Sequence, residues 1–158
     1  MAMRRYIQLF TVTLLLNVAA NGQDRSKSFE KDSIEISQAL HGFVHALEYL
    51  DADHLQNFFG KNATVFFPPS ALVAGRVQGI DSIMAVFKRF FERVKQTKTG
   101  PRYLEIDPQK IKIDIEGNVA IATFELSDND GLSRRSVVMI KEKDKWIILH
   151  LHASKISN

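Results

Sequence analysis

Two stretches of the chain have the apolar spacing of amphipathic helices. From residue 36 onward, apolar side chains recur at intervals of three or four residues, at Ile36, Leu40, Phe43, Leu47 and Leu50. A second stripe follows Gly79 and Asp81, with lysines and arginines opposite its members Ile83, Phe87, Phe90 and Val94. Between the two stretches, Asp51 and Asp53 interrupt the spacing and could cap a short helix over residues 54–59. The pattern therefore predicts two long helices with a short helix between them.

The remaining pattern is typical of β-strands. Residues 63–67 form an apolar run that ends at two prolines, and residues 72–77 predict a short second strand. Four long segments follow, over residues 103–116, 119–127, 134–141 and 146–154, with turn residues between them. These segments predict an antiparallel meander that packs on the helices. The expected fold class is α+β.

The first 22 residues have the pattern of an export signal. Arg4 and Arg5 precede an apolar run over residues 9–20, and small residues at Ala19, Ala20 and Gly22 suit a cleavage site. The run is shorter than the roughly 20 apolar residues of a membrane span, and an uncleaved anchor is the alternative. We therefore expect a signal peptide over residues 1–22, a polar lead-in over residues 23–32, and a mature protein outside the membrane.

Composition narrows the class of protein further. The 158 residues are 45% hydrophobic and 25% charged, which predicts one folded domain, here over residues 33–156. The chain has no cysteine, which excludes disulfides, thiolate metal sites and cysteine nucleophiles. An exported chain without disulfides fits a secreted or periplasmic protein of bacterial origin. The formal charge of +3 falls to +1 without Arg4 and Arg5, which gives no support to nucleic-acid binding.

Three segments of the chain have distinctive sequences: residues 49–69 (YLDADHLQNFFGKNATVFFPP), residues 79–87 (GIDSIMAVF) and residues 146–154 (WIILHLHAS). Taken in this order, they resemble the nuclear-transport-factor-2-like superfamily in its SnoaL-like branch. The resemblance covers residues 33–156. It implies a cone-shaped curved antiparallel β-sheet wrapped around a long helix, with two helices before it. Because this superfamily contains enzymes as well as binding and assembly domains, the fold alone leaves the function open.

The catalytic groups of the ketosteroid isomerases, which are members of that superfamily, are absent from this sequence. Counted from residues 63–65 (ATV), the position of their aspartate base holds Phe67, and the position of their tyrosine holds Phe43. Their acid position falls within residues 133–139, which contain no carboxylate. The sequence therefore favours a non-catalytic domain without a cofactor. A lyase, isomerase or hydrolase that acts on a small apolar molecule is the alternative.

An interior rich in phenylalanine predicts a pocket for a small hydrophobic ligand. The chain has 11 Phe against 3 Tyr and 1 Trp. The predicted pocket residues are Phe43, Leu47, Phe67, Phe87, Phe90, Leu149 and Leu151, with Arg135 at the mouth. Such a pocket suits a flat apolar molecule with one polar end. The alternative is an interior that the rings fill completely.

Two pairs of histidines have spacings that also occur in metal sites. His41 and His45 lie four residues apart on the first long helix, followed by Glu48, and His150 and His152 alternate on the last strand. The first pair falls on the solvated side of its helix, and the second pair has no third ligand nearby in sequence. We therefore predict no metal site.

The last strand predicts a contact between two copies of the chain. Regular alternation directs Ile147, Leu149, Leu151 and Ala153 into the cone, and Trp146, Ile148, His150 and His152 outward. An outward tryptophan and isoleucine would leave an apolar patch, which predicts a homodimer through this face. The alternative is a half-exposed strand whose tryptophan covers a neighbour.

Overall fold

The computed structural model describes the backbone of residues 3–68, 75–128 and 131–155, and their side chains from residue 26 onward except Asp128. Helix α1 (Met3–Glu48) is continuous, so the predicted polar lead-in is helical, and the side chains of the predicted signal segment lie outside the described residues. The chain forms two compact units, Met1–Ile34 and Glu35–Asn158, and α1 contributes to both. Within the described ranges, no helix is long and apolar enough to cross a membrane.

Two further helices follow α1. Helix α2 (Ala52–Leu55) continues as a 3-10 turn (Gln56–Phe58). As predicted, Asp51 caps α2, because its carboxylate accepts a hydrogen bond of 2.9 Å from the backbone N–H of His54. Helix α3 (Ile80–Thr97) begins after Gly79 and buries Ile83, Met84, Val86, Phe87, Phe91 and Val94. Phe90 of the predicted stripe is only half-buried, since Phe91 takes the core position beside it.

Six strands form one mixed sheet. They are β1 (Phe59–Phe66), β2 (Arg76–Gln78), β3 (Asp107–Glu116), β4 (Val119–Asp128), β5 (Gly131–Glu142) and β6 (Lys145–Lys155), in the order β2-β1-β6-β5-β4-β3. The predicted meander of β3 to β6 is antiparallel. Strand β1, however, pairs in parallel with β6, which the long connection between them permits. The sheet is therefore mixed, and the predicted antiparallel meander forms four of its six strands. Residues 69–74, 129–130 and 156, which carry parts of the predicted strands, turns and domain end, lie outside the described residues.

One face of the curved sheet packs on the helices, and we call it the inner face. Strand β4 shows the division, because Ala120, Ala122, Phe124 and Leu126 are buried while Val119, Ile121 and Thr123 are exposed. The buried set joins residues of α1, such as Leu40, and of α3, such as Ile83, in one apolar core. The opposite face, which we call the outer face, carries Val119 and Ile121.

Strand β6 contains one residue that breaks the predicted alternation. Ile148 pairs with Met139 of β5, whereas His150 pairs with the preceding residue, Val138. Leu149 is therefore an extra residue, and the strand forms a β-bulge at this point.

Because of the bulge, the β6 residues before Leu149 lie on the face opposite to the one that strict alternation predicts. Trp146 and Ile148 do not lie on the outer face but in the core, where they are 5% and 1% exposed. Ile147 lies opposite Ile140 on the outer face instead. Beyond the bulge, Leu151 and Ala153 are buried, as the alternation predicts.

Candidate functional site

Apolar side chains continue across neighbouring strands on the outer face. Two cross-strand rows run from β4 through β5 to β6, Val119–Ile140–Ile147 and Ile121–Val138–His150. Ile121 is 48% exposed, and Phe66 on β1 is 38% exposed. We define the outer patch as Phe66, Val119, Ile121, Val138, Ile140, Ile147 and Leu149. A connected apolar patch of this kind is typical of a surface that binds another protein.

Sequence reasoning missed the β4 part of the outer patch. The run Val119, Ala120, Ile121, Ala122 is apolar at every position, although a strand of an antiparallel sheet with one solvated face should alternate with polar residues. That run is the signal that both faces of the strand meet apolar surroundings.

The two histidines of β6 lie on the outer face beside the first strand. Nδ1 of His150 lies 2.7 Å from Oγ1 of Thr64, and Thr64 is also its partner in the parallel pairing. The ring of Phe66 packs against both imidazoles, with centroid distances of 5.8 Å to His150 and 5.7 Å to His152. The outward orientation predicted for these histidines therefore holds, while the dimer built on it remains a prediction.

Charges of both signs border the outer patch. On β3, Nζ of Lys112 lies 2.8 Å from Oδ1 of Asp114. On β4, Glu125 faces Arg134 across the strand pair, and Nζ of Lys110 lies 2.8 Å from its Oε2. The apolar centre thus has a mixed polar rim, which is the usual anatomy of a protein–protein interface.

The four phenylalanines predicted at the pocket belong to one cluster of aromatic rings in contact. Phe43 meets Phe59 at a centroid distance of 5.9 Å, and Phe59 lies 6.1 Å from Phe87. Phe67 packs edge-on against Phe87 at 5.1 Å, and Phe90 lies 6.0 Å from Phe91. Leu47 and Leu151 belong to the same core. These rings therefore pack closely against one another in the part of the core that they share.

Of the two remaining residues predicted at the pocket, Leu149 lies on the other face of the sheet and Arg135 lies on the inner face. Leu149 lies on the outer side, since a Cβ at Gly60 would come within 3.4 Å of the side chains of both Leu149 and Ile147. The bulge is the reason. Arg135 is half-buried on the inner face, opposite Phe124 and Ala153. Its guanidinium donates a hydrogen bond of 2.9 Å to the backbone carbonyl of Arg134.

Two carboxylates beside the core, those of Glu48 and Glu35, are held in ion pairs. Glu48, at the end of α1, accepts a hydrogen bond of 3.0 Å from Nε of Arg102, and this bond, together with the charge of Glu48, raises the pKa of Arg102. The backbone carbonyl of Glu48 also accepts the N–H of Tyr103 at 2.8 Å. Glu35 lies 3.0 Å from Nζ of Lys141. The two ion pairs connect α1 to the loop that contains Arg102 and to strand β5. Their role is therefore structural.

The positions counted from the ketosteroid isomerases carry no acid–base group. Phe43 is 2% exposed within the core, and Phe67 is half-buried against Phe87. Near the exposed histidines of α1, Glu48 binds Arg102, and His45 stacks on Tyr49 at 4.4 Å. Among the residues with described side chains, no group of three or more metal ligands comes together.

Comparisons with known proteins agree on the family. The model of the SnoaL-like domain matches residues 36–157. A comparison with curated proteins gives no match. A proposed dehydratase of the NTF2-like family from Streptomyces avermitilis superposes with a TM-score of 0.69 at 14% identity, over 82% of this chain and 99% of that one.

Two other solved structures have names that point to different functions. A proposed ketosteroid isomerase from Parabacteroides distasonis has a TM-score of 0.56 at 19% identity, over 71% of this chain and 80% of that one. The association domain of CaMKII from C. elegans has a TM-score of 0.58 at 20% identity, over 82% of this chain and 97% of that one. At these identities the neighbours establish the fold alone. With the family model matched over most of its length, the chain belongs to the SnoaL-like domain family.

Proposed function

We propose that the protein is a non-catalytic assembly domain, and that its outer patch binds the outer patch of a second copy. The observation that carries this proposal is the continuous apolar surface over β4, β5, β6 and β1, in which Ile121 is 48% exposed and Val119 is 37% exposed. Water around such a surface is released on association, which favours burial by another protein.

A second copy is the partner that fits this surface best. In a two-fold contact one patch meets itself, so apolar centres face each other and rims of mixed charge can pair. The rim has both signs, with Lys112 and Asp114 on one side and Glu125 and Arg134 on another. One structural neighbour is named an association domain, which supports self-assembly as a use of this fold.

The test is the mass of the mature protein in solution and its response to a charge in the patch. Light scattering at micromolar concentration should give twice the monomer mass. Ile121→Asp should give a folded monomer, because an aspartate in the contact would be desolvated without a partner. Gln96→Asp, at an exposed site on α3, is the matched control and should remain dimeric. A monomeric wild-type protein contradicts the proposal, and a dimeric Ile121→Asp variant contradicts the choice of face.

Binding of a small hydrophobic ligand is a second candidate function. It is favoured by Arg135, a cationic side chain on the inner face close to Ala153 and Phe124, where it could meet the polar end of an apolar molecule. Native mass spectrometry of protein taken gently from its host should then show a retained molecule, and Arg135→Met should retain less of it. A bare mass for the wild-type protein rejects this candidate.

We also propose that the chain is exported and cleaved near residue 22. The support is Arg4 and Arg5 before the apolar run, with Ala20 and Gly22 after it. The intact mass of the protein outside the cytoplasm should correspond to a chain that begins at Asn21 or Gln23. A full-length chain that keeps Met1 in the membrane fraction contradicts this.

A further inference from the structure

We propose that protonation of His150 and His152 separates two associated copies of the chain, so that contact through the outer patch is lost in mild acid. This inference rests on the self-association proposed above and concerns its regulation. The residues that carry it are the two imidazoles, their neighbours on β1 and β5, and the charges nearest to them on the outer face.

The two imidazoles lie where a second copy would cover them. His150 occupies a cross-strand row of the outer patch, with Val138 on one side and Thr64 on the other. His152 lies two residues further along β6 and is exposed, whereas His150 is half-buried. The ring of Phe66, itself a member of the patch, packs against both. Contact through the patch would therefore remove water from both rings.

The immediate surroundings of the two rings carry no charge. The residues that face them are Thr64 and Phe66 from β1, and Ser136 and Val138 from β5. Beyond β5, the outer positions of β4 in the same rows are Ile121 and Thr123, which are also neutral. A protonated imidazole in a contact between two such faces would lack a counter-charge.

The nearest charged side chains on the outer face disfavour a further positive charge. Arg76 of β2 lies opposite Phe66, and Arg134 of β5 lies opposite Ser154. Among the acidic residues on that face, Glu125 lies against Lys110, Asp114 against Lys112, and Glu142 opposite Lys145. The other two, Asp107 and Glu116, lie on β3, which is three strands away from β6. An isologous contact adds only a second copy of the same face, and its apolar centre brings no carboxylate to the histidines.

The direction of the pH effect follows from the different proton uptake of the two states. An imidazole in water gains its proton near pH 6.5, and burial without a counter-charge favours the neutral form. Two separate copies therefore bind more protons in acid than the associated pair, and acid favours separation. At pH 5.5, each imidazole kept neutral by association should raise the dissociation constant about tenfold.

Sedimentation equilibrium of the mature chain at pH 7.5 and pH 5.5 tests the proposal. We expect the dissociation constant of the wild-type protein to rise at least about tenfold in acid. A double variant, His150→Gln with His152→Gln, cannot gain these charges and should dimerise at both pH values with less than about a threefold change. His41→Gln with His45→Gln, on the exposed side of α1, is the matched control and should keep the wild-type response.

Each outcome is informative. A wild-type dimer whose dissociation constant is the same at both pH values overturns the switch and leaves the assembly function standing. A wild-type monomer at both pH values overturns the assembly function itself. A double variant that keeps the full pH response excludes these histidines as the cause. Near-ultraviolet circular dichroism of buried Trp146 reports the folded state, and its loss at pH 5.5 would also overturn the proposal, since separation would then follow unfolding.

Discussion

Oγ1 of Thr64 lies 2.7 Å from Nδ1 of His150, and this contact joins the first strand of the sheet to the last, 86 residues later. The backbone pairing of β1 with β6 is irregular between Phe59 and Thr64, so the side-chain contact lies where the parallel ladder resumes. It links two strands that are neighbours in the sheet although they are the first and the last along the chain.

Replacement of Thr64 by valine should lower the free energy of unfolding. The substitution preserves shape but removes the hydroxyl, and one partly buried hydrogen bond contributes about 1 kcal/mol. Urea denaturation of the domain measures the change. Thr123→Val, an exposed position on the same face, is the control and should change stability less. Equal stability of wild type and Thr64→Val would show that the contact adds nothing.

Replacement of Trp146 by alanine should destabilise the folded monomer and not merely a contact between copies. The indole is 5% exposed in the core, and Nζ of Lys141 lies 5.9 Å from its ring centre. Removal of such a buried ring costs about 3–5 kcal/mol. Thermal unfolding should rank the variants wild type, Trp146→Phe and Trp146→Ala in falling stability. Ile147→Ala on the outer face should lose less than Trp146→Ala, and the reverse order would restore the original assignment of faces.

The free energy of unfolding should fall by different amounts when Glu48 or Arg102, the two members of an ion pair, is replaced. The side chain of Glu48 is 10% exposed and that of Arg102 is 52% exposed. Arg102→Leu leaves a buried carboxylate without this partner, whereas Glu48→Gln leaves a guanidinium that water can solvate. Urea denaturation should therefore show a larger loss for Arg102→Leu. A larger loss for Glu48→Gln would mean that the carboxylate is stabilised mainly by other groups.

Gly79 should not tolerate a side chain. Its φ of 84° with ψ of 142°, just before α3, belongs to a region that only glycine adopts readily, and its N–H donates to the carbonyl of Ala63 at 2.9 Å. Gly79→Ala should cost about 1–3 kcal/mol of stability. Gly117→Asn is the control, because asparagine accepts the left-handed φ of 59° found in that turn. A neutral Gly79→Ala variant would show that the helix can begin in another conformation.

The elements could be predicted from local patterns because each pattern is repeated over several residues. The stripe that contains Ile83 and Phe87 predicted α3, and turn residues such as Gly117 separated the strands correctly. The parallel pairing of β1 with β6 could not be predicted, because no local feature of β1 specifies a partner in the last strand. Sheet order depends on how all the elements pack together.

On β6, the outward orientation of His150 and His152 was predicted correctly, whereas Trp146 and Ile148 were predicted on the wrong face of the sheet. The prediction relied on strict alternation along β6, and one extra residue at Leu149 exchanged the positions of Trp146 and Ile147. Nothing in an all-apolar segment marks which residue will bulge. His150 and His152 were assigned correctly because they follow the bulge, where alternation resumes.

The bulge at Leu149 also affects how this strand can change during evolution. In a regular strand, insertion or deletion of one residue turns every later side chain to the opposite face. Here Ile148 and Leu151 both point inward, with two residues between them. Removal of Leu149 would leave Ile148, His150 and Leu151 in simple alternation, with the inward and outward sets unchanged. Relatives are therefore expected to differ in length at this point, and a gap of one residue there would preserve both the core and the outer face.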